Sequence, residues 1–381
     1  MTLLISIVIV LYALLILTLN SGLRQLKDFE PDDSPAVNSF SVIVVFRNEI
    51  ENLANLIGNF KNLDYPNDKL EILLIDDDSD DGSLELALQL QEDNKELNLK
   101  IIENRTLSSS PKKEAIEKGV STAKFDWILT TDADCILAKN HLRAIDQYIQ
   151  KYDPIFVAGP VVCKADDSFL QGFQLLDFLS LQGSTMGGFG GRNLNASIKP
   201  FMCNGANLCY LKTEFIQLNG YSGSKHIASG DDVFLLEKMI VRDSKKVHFI
   251  KSRAAVVSTL PKYSWKELVE QRKRWAAKTS SIGNGFGKAV GALVLLANLA
   301  LIIGLGSAIG GLIHWKSLGI LFLVKINVDF ILIYKTALFF YKKEALRSFI
   351  ASSLLYPFFV VLVSVLALNG SYHWKGRSFR K

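Results

Sequence analysis

Long uncharged runs of apolar residues near both ends of the chain most constrain how it can fold. Residues 3–19, 289–313 and 349–368 contain no charged side chain. Each run is close to the roughly 20 residues that cross the hydrocarbon core of a bilayer. Residues 318–341 are similar in length but contain three charged side chains, so they form a fourth, less regular predicted span. The chain therefore predicts an integral membrane protein with one helix before a central region and about three after it.

These runs divide the chain into segments of different composition. The first segment, at 1–22, is expected to be an uncleaved anchor, because it lacks the basic start and small-residue cleavage site of a signal peptide. The other predicted segments are a cytosolic domain at 38–262, an interfacial amphipathic helix at 263–285, transmembrane helices at 286–370 and a basic tail at 371–381.

Basic residues beside the apolar runs predict the orientation. Arg24 and Lys27 follow the first run and place the central region in the cytosol, at the inner or plasma membrane of the cell. Three further spans would then export the basic tail at 371–381, against the preference of basic residues for the cytosolic side. Either one segment does not cross fully or the tail is an exception. Lys325 and Asp329 are four residues apart on one helical face of residues 318–341. This segment is therefore the one expected not to cross fully.

Charge and cysteine usage exclude some classes of protein. The formal net charge is +5, and basic residues gather beside the apolar runs. This distribution fits anionic lipid headgroups and indicates no nucleic-acid-binding module. The four cysteines lack the paired spacing of a zinc site, and in a cytosolic region they are expected to be reduced.

The central region alternates short β-branched runs with helical stretches. This alternation predicts an α/β fold with a doubly wound, mostly parallel sheet. The predicted strands are 41–45, 71–75, 100–102, 127–131 and 155–157. The predicted helices between them are 51–60, 83–94, 112–120 and 141–151.

Polar side chains follow three of these strands at the point where each strand ends. They are Asn48 and Glu49 after the first strand, Asp77 after the second, and Asp132 and Asp134 after the fourth. Ligands of such sheets bind outside the carboxyl ends of the strands, so these residues mark a candidate site.

Residues 76–81 contain five carboxylates in six positions. Asp81 or Ser83 is expected to cap the following helix. Capping needs only one such side chain, and crowded like charges resist ionisation unless a cation or hydrogen-bond donors lie nearby. A ligand role is therefore predicted as well, in which one carboxylate accepts the imide N–H of a uracil ring.

Asp132 and Asp134 are two residues apart in an extended segment, so their side chains face the same way. Two carboxylates at this spacing suit a hard divalent cation, Mg²⁺ or Mn²⁺, that also holds a diphosphate. Such a pair is a weak signal alone, because most matches are solvated loops. Its position at a strand end favours a site for a metal and a phosphorylated donor.

Asp231 and Asp232 follow Gly230 at the start of an amphipathic stretch. Acidic residues are favourable at a helix N-terminus, which explains one aspartate more readily than two. In a cleft, a carboxylate at this position can act as a general base.

Residues 265–278 predict a further helix, with apolar side chains on one side and polar ones on another. An amphipathic helix at a bilayer surface explains the pattern as a whole. It does not explain why Gln271, Arg274 and Trp275 stand together just before a span. Arg274 can bind a pyrophosphate, and Trp275 can stack on a sugar ring.

Two weaker features remain. Residues 186–192 are rich in glycine but do not follow a strand, so they predict either a flexible lid over an acceptor or a plain loop. Lys112 opens a predicted helix and can reach a phosphate, although a solvated lysine is the ordinary interpretation.

Taken in order, these motifs resemble those of the membrane-bound, inverting family 2 glycosyltransferases. This family includes poly-N-acetylglucosamine, hyaluronan and cellulose synthases and the ceramide glucosyltransferases. The resemblance covers about residues 39–275 and the apolar helices on both sides. It implies a GT-A-like sheet that binds a nucleotide-sugar, flanked by transmembrane helices, and a divalent cation as cofactor.

The resemblance also implies roles for individual residues. Asp77 would bind uracil, Asp134 would be the main metal ligand with Asp132 beside it, and Asp232 would be the catalytic base. Gly230-Asp231 stands where the family usually has Glu or Thr-Glu, which leaves Asp231 as the alternative base. The residues implied in donor binding are Asn48, Glu49, Asp77, Lys112, Asp132 and Arg274. The residues implied in acceptor binding are Gly205, Asn207, Gln271 and Trp275.

The sequence thus predicts an enzyme that moves a sugar from a UDP-sugar to a hydroxyl acceptor with inversion. The acceptor is either a membrane lipid, favoured by the small number of spans, or a growing polysaccharide, favoured by Gln271, Arg274 and Trp275. The expected partners are the donor, the acceptor, the lipid bilayer and membrane partner subunits, with no nucleic acid.

Two alternatives belong to other classes of protein. One is a catalytically inactive subunit that binds a nucleotide-sugar or acts as a scaffold in a polysaccharide assembly system. The presence of Asp77, Asp134, Asp232 and Arg274 argues against it. The other is a transporter, against which the small number of predicted spans argues.

Overall fold

The computed structural model describes residues 1–105, 109–166, 168–278, 281–368 and 371–380. Parts of the predicted segments after residue 262, namely 279, 280, 369, 370 and Lys381, lie outside the described residues. The helices are α1 Thr2–Gln25, α2 Leu53–Lys61, α3 Ser83–Asp93, α4 Pro111–Thr122, α5 His141–Tyr152, α6 Phe169–Gly191, α7 Lys212–Gln217, α8 Asp231–Asp243, α9 Trp265–Ala277, α10 Gly285–Ile309, α11 Trp315–Phe339 and α12 Phe349–Leu368. The strands are β1 Phe40–Phe46, β2 Leu70–Asp76, β3 Leu99–Glu103, β4 Trp127–Asp132, β5 Cys135–Leu137, β6 Phe156–Ala158, β7 Val161–Cys163, β8 Leu208–Leu211, β9 Val247–Phe249, β10 Val257–Thr259, β11 Ser371–Trp374 and β12 Arg377–Arg380.

The central sheet is mostly parallel, which confirms the predicted fold class. Its strand order is β3-β2-β1-β4-β8-β6-β9. Neighbouring strands from β3 to β4 run parallel, whereas β8 is antiparallel to both β4 and β6. A smaller sheet has the order β5-β10-β7. The carboxyl ends of β1, β2 and β4 therefore meet at one edge of the central sheet, where the candidate site was predicted.

Alternating side chains of the strands enter two hydrophobic cores on opposite faces of this sheet. Ile43 and Leu73 lie in one core with residues of α1 and α4. Val42 and Leu74 lie in the other with residues of α2 and α5. Because both faces are buried, the strands read as continuous apolar runs in the sequence. The five predicted strands correspond to β1, β2, β3, β4 and β6, with ends that differ by a single residue.

Residues 186–192 do not form the predicted lid or loop, because all but the last belong to the 23-residue helix α6. The glycines serve close packing of α6 on α1. A Cβ atom at Gly187 would lie 2.5 Å from the carbonyl oxygen of Leu19, and one at Gly190 would lie 2.0 Å from that of Gly22. Only glycine permits such contact between helix backbones, as it does in membrane helix pairs.

Within the described residues, four helical segments are long and apolar enough to cross a membrane: Thr2–Gln25, Gly285–Ile309, Trp315–Phe339 and Lys343–Leu368. Lys325 and Asp329 of α11 have partners within this bundle. The Lys325 ammonium lies 2.8 Å from Asp329, and the Tyr12 hydroxyl of α1 donates to the same carboxylate at 2.6 Å. Pairing of this kind lowers the cost of placing charges among apolar helices.

The predicted amphipathic helix forms α9 and packs on other helices. Leu268 is fully buried in a cluster with Phe173 of α6 and Phe359 and Val363 of α12. The N-terminus of α9 is capped by the Ser264 side chain, which accepts from the backbone N–H of Glu267. α9 therefore connects the sheet domain to the apolar helices.

Candidate active site

The loops that follow β1 and β2 are tied together by side chains at the predicted site. The Asn48 amide donates to Asp80 at 2.7 Å, and the backbone N–H of Asp80 donates back to the Asn48 oxygen at 3.0 Å. The backbone N–H of Glu49 donates to the Ser83 hydroxyl at 2.8 Å. Asn48 has a φ of 52°, a left-handed conformation that asparagine adopts more readily than most residues. Together these contacts hold the two loops side by side.

Asp77 lies at the carboxyl end of β2 with its side chain fully buried. Its backbone N–H donates to the Phe46 carbonyl at 2.8 Å, and its own carbonyl accepts from the Arg47 guanidinium at 2.9 Å. The carboxylate accepts a hydrogen bond of 2.7 Å from Arg377, near the end of the chain. Asp77 is thus fixed at the sheet edge with a guanidinium against it.

Asp132, Asp134 and Cys135 form a group whose ligand atoms all lie within 4.8 Å of one another. Burial is the main cause that raises the pKa of Asp134, and the nearby Asp132 and Glu49 carboxylates raise it further. Burial also raises the pKa of the Cys135 thiol, which therefore stays neutral. The two carboxylates suit a hard divalent cation, whose positive charge would favour ionised Asp134.

Lys112 connects this group to the start of α8. Its ammonium lies 2.8 Å from Asp132 and 3.4 Å from Asp231. Burial alone would lower the pKa of Lys112, but these two carboxylates raise it. Burial alone would raise the pKa of Asp231, but the Lys112 and Lys278 ammonium groups hold it below its usual range. Lys112 is thus a positive charge held in place between two acidic groups.

Asp232 occupies a different position from its neighbour. Its carboxylate lies 2.8 Å from the Lys278 ammonium and forms part of a cavity wall. Gly230, with a φ of 88°, turns the chain just before these two aspartates. Gly205 passes so close that a Cβ atom there would lie 2.9 Å from the Asp231 carboxylate. The structure thus brings Gly205, Lys112 and both candidate bases together.

The motif on α9 is arranged around Arg272, a residue that sequence reasoning missed. Arg272 is 7% exposed, its Nε lies 2.6 Å from Asp177 of α6, and it donates to the Gln271 side chain. Its guanidinium lies 4.2 Å from the Trp275 ring centroid, and Phe178 contacts the same ring edge-on. The signal was Asp177, a lone acidic residue within an apolar helix, which needs a buried cation.

Arg274 and Asn207 differ in how they relate to the site. Arg274 is half-buried and lies close enough to Lys112 for the two positive charges to repel each other. Asn207 is buried, and its amide donates to the carbonyls of Pro160 and Ala255 at 2.9 and 2.8 Å. Asn207 therefore shapes the segment that carries Gly205.

A cavity of about 430 Å³ extends from Asp232 into the bundle of apolar helices. Its volume is within the usual range for small-molecule sites. Most of the lining is apolar, and its walls come from α1, α6, α8, α9, α10, α11 and α12. The charged side chains that line it are Asp177, Asp232, Arg272, Lys278, Lys325 and Asp329.

These charged groups form three pairs. Arg272 pairs with Asp177 at 2.6 Å, and Lys325 pairs with Asp329 at 2.8 Å. The third pair is that between Asp232 and Lys278. The cavity thus combines an apolar surface with polar groups of balanced charge.

Residues 41–210 match the family described as Glycosyl transferase family 2. The chain carries a family 2 glycosyltransferase domain. This match includes the sheet edge with Asp77, Asp132 and Asp134. Asp232 and α9 lie beyond it, so their assignment depends on the geometry described above.

Relatives of this glycosyltransferase domain include two bacterial synthases. The poly-beta-1,6-N-acetyl-D-glucosamine synthase of Staphylococcus aureus is 27% identical over 165 residues, which are 42% of this chain and 37% of the relative. The beta-monoglucosyldiacylglycerol synthase of Trichormus variabilis is 27% identical over 111 residues, 29% of this chain and 23% of the relative. The chain therefore matches well under half the length of each relative.

A solved structure shares the fold. The mannosyltransferase of Pyrobaculum calidifontis, in complex with GDP-Man and Mn²⁺, aligns with a TM-score of 0.58 at 16% identity. The alignment covers 93% of this chain and 97% of the mannosyltransferase. It confirms the GT-A-like sheet.

Proposed function

We propose that this protein is a membrane-bound inverting glycosyltransferase that moves a sugar from a UDP-sugar to the hydroxyl group of a neutral lipid. The carrying observation is that Asp232 lies on the wall of an apolar cavity that extends among four candidate membrane spans. A base at this position can reach an acceptor whose hydrocarbon part lies in the cavity.

The donor is proposed to lie along the sheet edge. Asp77 would accept the imide N–H of uracil, and Lys112 and Arg274 would contact the phosphates. Asp134 and Asp132 would hold Mg²⁺ or Mn²⁺, which stabilises the charge that develops on a leaving diphosphate. The similarly folded mannosyltransferase was solved with GDP-Man and Mn²⁺, which supports a nucleotide-sugar with a cation.

Asp232 is the proposed general base. Its carboxylate accepts the proton of the acceptor hydroxyl while that oxygen forms a bond to the anomeric carbon. The bond from this carbon to the diphosphate breaks on the opposite face, so the configuration inverts and UDP leaves. The Lys278 ammonium, 2.8 Å away, holds the carboxylate at the cavity wall. A positioned base of this kind typically contributes about 10² to 10⁴ in rate.

The choice of a neutral lipid depends on the charges of the cavity. An anionic head group, such as a lipid phosphate, needs a cation to bind it, but Arg272, Lys278 and Lys325 are each held by an aspartate. Removing a partner from a buried ion pair is costly, so these cations are poorly suited to a second anion. The name of the Trichormus relative, a beta-monoglucosyldiacylglycerol synthase, supports an acceptor of the diacylglycerol class.

A growing polysaccharide is the second candidate acceptor. The name of the Staphylococcus relative, a poly-beta-1,6-N-acetyl-D-glucosamine synthase, supports it. So does Trp275, whose ring stacks against Arg272 at the cavity and offers a flat surface for a sugar.

The test is UDP release by the purified protein in detergent. UDP-sugars would be offered with Mn²⁺ or with EDTA, and with diacylglycerol, a lipid phosphate or an oligosaccharide. We expect release that needs both the metal and diacylglycerol, with one sugar added per lipid. Asp134→Ala should abolish metal-dependent UDP binding.

Each other outcome points to a different function. A ladder of saccharide products would replace the lipid with a polysaccharide. UDP binding without release, even with native lipid extract, would indicate an inactive binding subunit. Metal-dependent binding that survives Asp134→Ala would contradict the metal assignment.

A further inference from the structure

The last described residues of the chain fold back onto the nucleotide end of the candidate active site. β11 and β12 pair as an antiparallel hairpin, here called the C-terminal hairpin, with Lys375 and Gly376 at its turn. Arg377 donates to the Asp77 carboxylate at 2.7 Å, to the Asp77 carbonyl at 3.2 Å and to the Asp78 carboxylate at 3.1 Å. A segment predicted as a basic tail therefore contacts the loop that follows β2.

Lys375 makes a second set of contacts with the loop that follows β1. Its ammonium donates to the Asn48 carbonyl at 2.8 Å and lies 3.0 Å from the Glu49 carboxylate. Its own carbonyl accepts from the Arg47 guanidinium at 3.1 Å. The turn of the hairpin thus covers both loops that would hold the nucleobase.

We propose that the C-terminal hairpin occupies the nucleobase end of the donor site, and that a UDP-sugar binds only after Arg377 releases Asp77. This inference rests on the proposed function, in which the Asp77 carboxylate accepts the imide N–H of uracil. It makes Arg377 a residue that sets the affinity for the donor.

The competition follows from the geometry of the Arg377 contacts. The side chain of Asp77 is fully buried and that of Arg377 is 18% exposed, so the guanidinium seals the way to the carboxylate. Arg377 binds the carboxylate and the carbonyl of the same residue, so its planar group lies across the end of β2. A uracil ring needs that position to reach Asp77.

The hairpin also bears on how the chain crosses the membrane. α11 ends at the sheet domain, where Arg253 donates to the Phe339 carbonyl at 3.0 Å. α12 begins after a short connection, packs Phe359 and Val363 near α9, and leads to the hairpin on the donor site. Both ends of α12 therefore lie on the side of the catalytic domain.

This placement removes the conflict between the basic tail and its predicted export. The sequence indicated residues 318–341 as the segment that does not cross fully, whereas the contacts point to α12 as the helix that does not pass from one side to the other. Lys375 and Arg377 then lie on the cytosolic side, where basic residues are favoured.

Measurement of the Kd for UDP tests whether the C-terminal hairpin occupies the donor site. Arg377→Ala should lower the Kd for UDP by about threefold to tenfold, because a site that is mostly closed binds with an apparent affinity reduced by its open fraction. Arg377→Lys should give a smaller decrease. Lys95→Ala, an equal charge change at an exposed residue, is the matched control and should leave the Kd unchanged.

The results separate this inference from the proposed function. UDP binding in all variants with an unchanged or weaker Kd for Arg377→Ala would overturn the competition and leave the proposed function standing. Absence of UDP binding in the wild type and in Arg377→Ala, with the proteins folded, would overturn both.

Labelling of cysteines in sealed, oriented vesicles tests the path of the chain. A cysteine appended after residue 381, Lys95→Cys in the domain and Lys316→Cys between α10 and α11 would be treated with a membrane-impermeant maleimide. The appended cysteine should react from the same side as Lys95→Cys and from the side opposite to Lys316→Cys. Reaction together with Lys316→Cys would overturn the placement of α12. The native cysteines are buried or half-buried, and the parent protein gives their background.

Discussion

The nucleotide end of the site is assembled from loops, whereas the cavity behind Asp232 is assembled from helices. The loops carry a local excess of acidic residues, which is balanced by Lys112 and by Lys375 and Arg377 from the distant end of the chain. Along the cavity, each charged residue has a partner from a helix or loop nearby in space. The first region is suited to exchange partners with a charged ligand, and the second to exclude one.

The largest expected effect lies where the two regions meet. Asp232→Asn should lower turnover by about 10² to 10⁴, because the amide cannot accept a proton, while the affinity for UDP stays the same. Asp231→Asn should lower turnover less, because Asp231 pairs with Lys112 on the donor side. Rates and UDP binding of both variants would be measured in parallel. Full turnover in Asp232→Asn would show that another residue is the base. It would also contradict the proposed division between donor-binding loops and an acceptor-binding cavity that meet at Asp232.

A change confined to the cavity should affect the acceptor and spare the donor. Ser184 lines the cavity on α6 and is half-buried. Ser184→Phe should raise the KM for a lipid acceptor about tenfold, or about 1.4 kcal/mol of acceptor binding, because the larger ring fills cavity space that the acceptor would occupy. The Kd for UDP should not change. Ser121→Phe, at an exposed position on α4, is the control, and equal KM values for the two variants would remove the cavity from acceptor binding.

The smallest expected effect is on stability rather than activity. Gly187→Ala places a Cβ atom 2.5 Å from the Leu19 carbonyl oxygen, so α1 and α6 must move apart at a cost of about 1–3 kcal/mol. Gly306→Ala adds the same group on α10, where nothing lies within 4 Å. Thermal unfolding in detergent should show a lower Tm for the first variant alone. An equal Tm would mean that the α1–α6 contact does not hold the cavity wall in place.

Much of the nucleotide end could be predicted because its residues are close together in sequence. β-branched runs mark buried strands, and the residue after each run must lie at the sheet edge. Asp77, Asp132 and Asp134 follow from this rule. Asp132 is the last residue of β4 and Asp134 lies in the turn that follows, so the turn brings their carboxylates together rather than the alternation expected of an extended segment.

The cavity and the C-terminal hairpin could not be predicted in this way. Residues 186–192 contain glycines that suggest a loop when read alone, and their packing role depends on α1, about 165 residues earlier. Arg272 is hidden among neighbouring basic residues, and only the distant Asp177 distinguishes it. The hairpin meets Asp77 through contacts between residues 300 positions apart, which no local pattern encodes.

The contact between Arg377 and Asp77 can form only after the residues between them have been synthesised. A ribosome that adds about 5–20 residues per second needs about 15–60 seconds to make the 300 residues that separate these partners. During that interval Asp77 has no contact with Arg377, so the proposed nucleobase site is uncovered. On the proposal that Arg377 covers Asp77, the site can close only after residue 377 has been made, so a chain that stops before this residue should bind the donor more tightly.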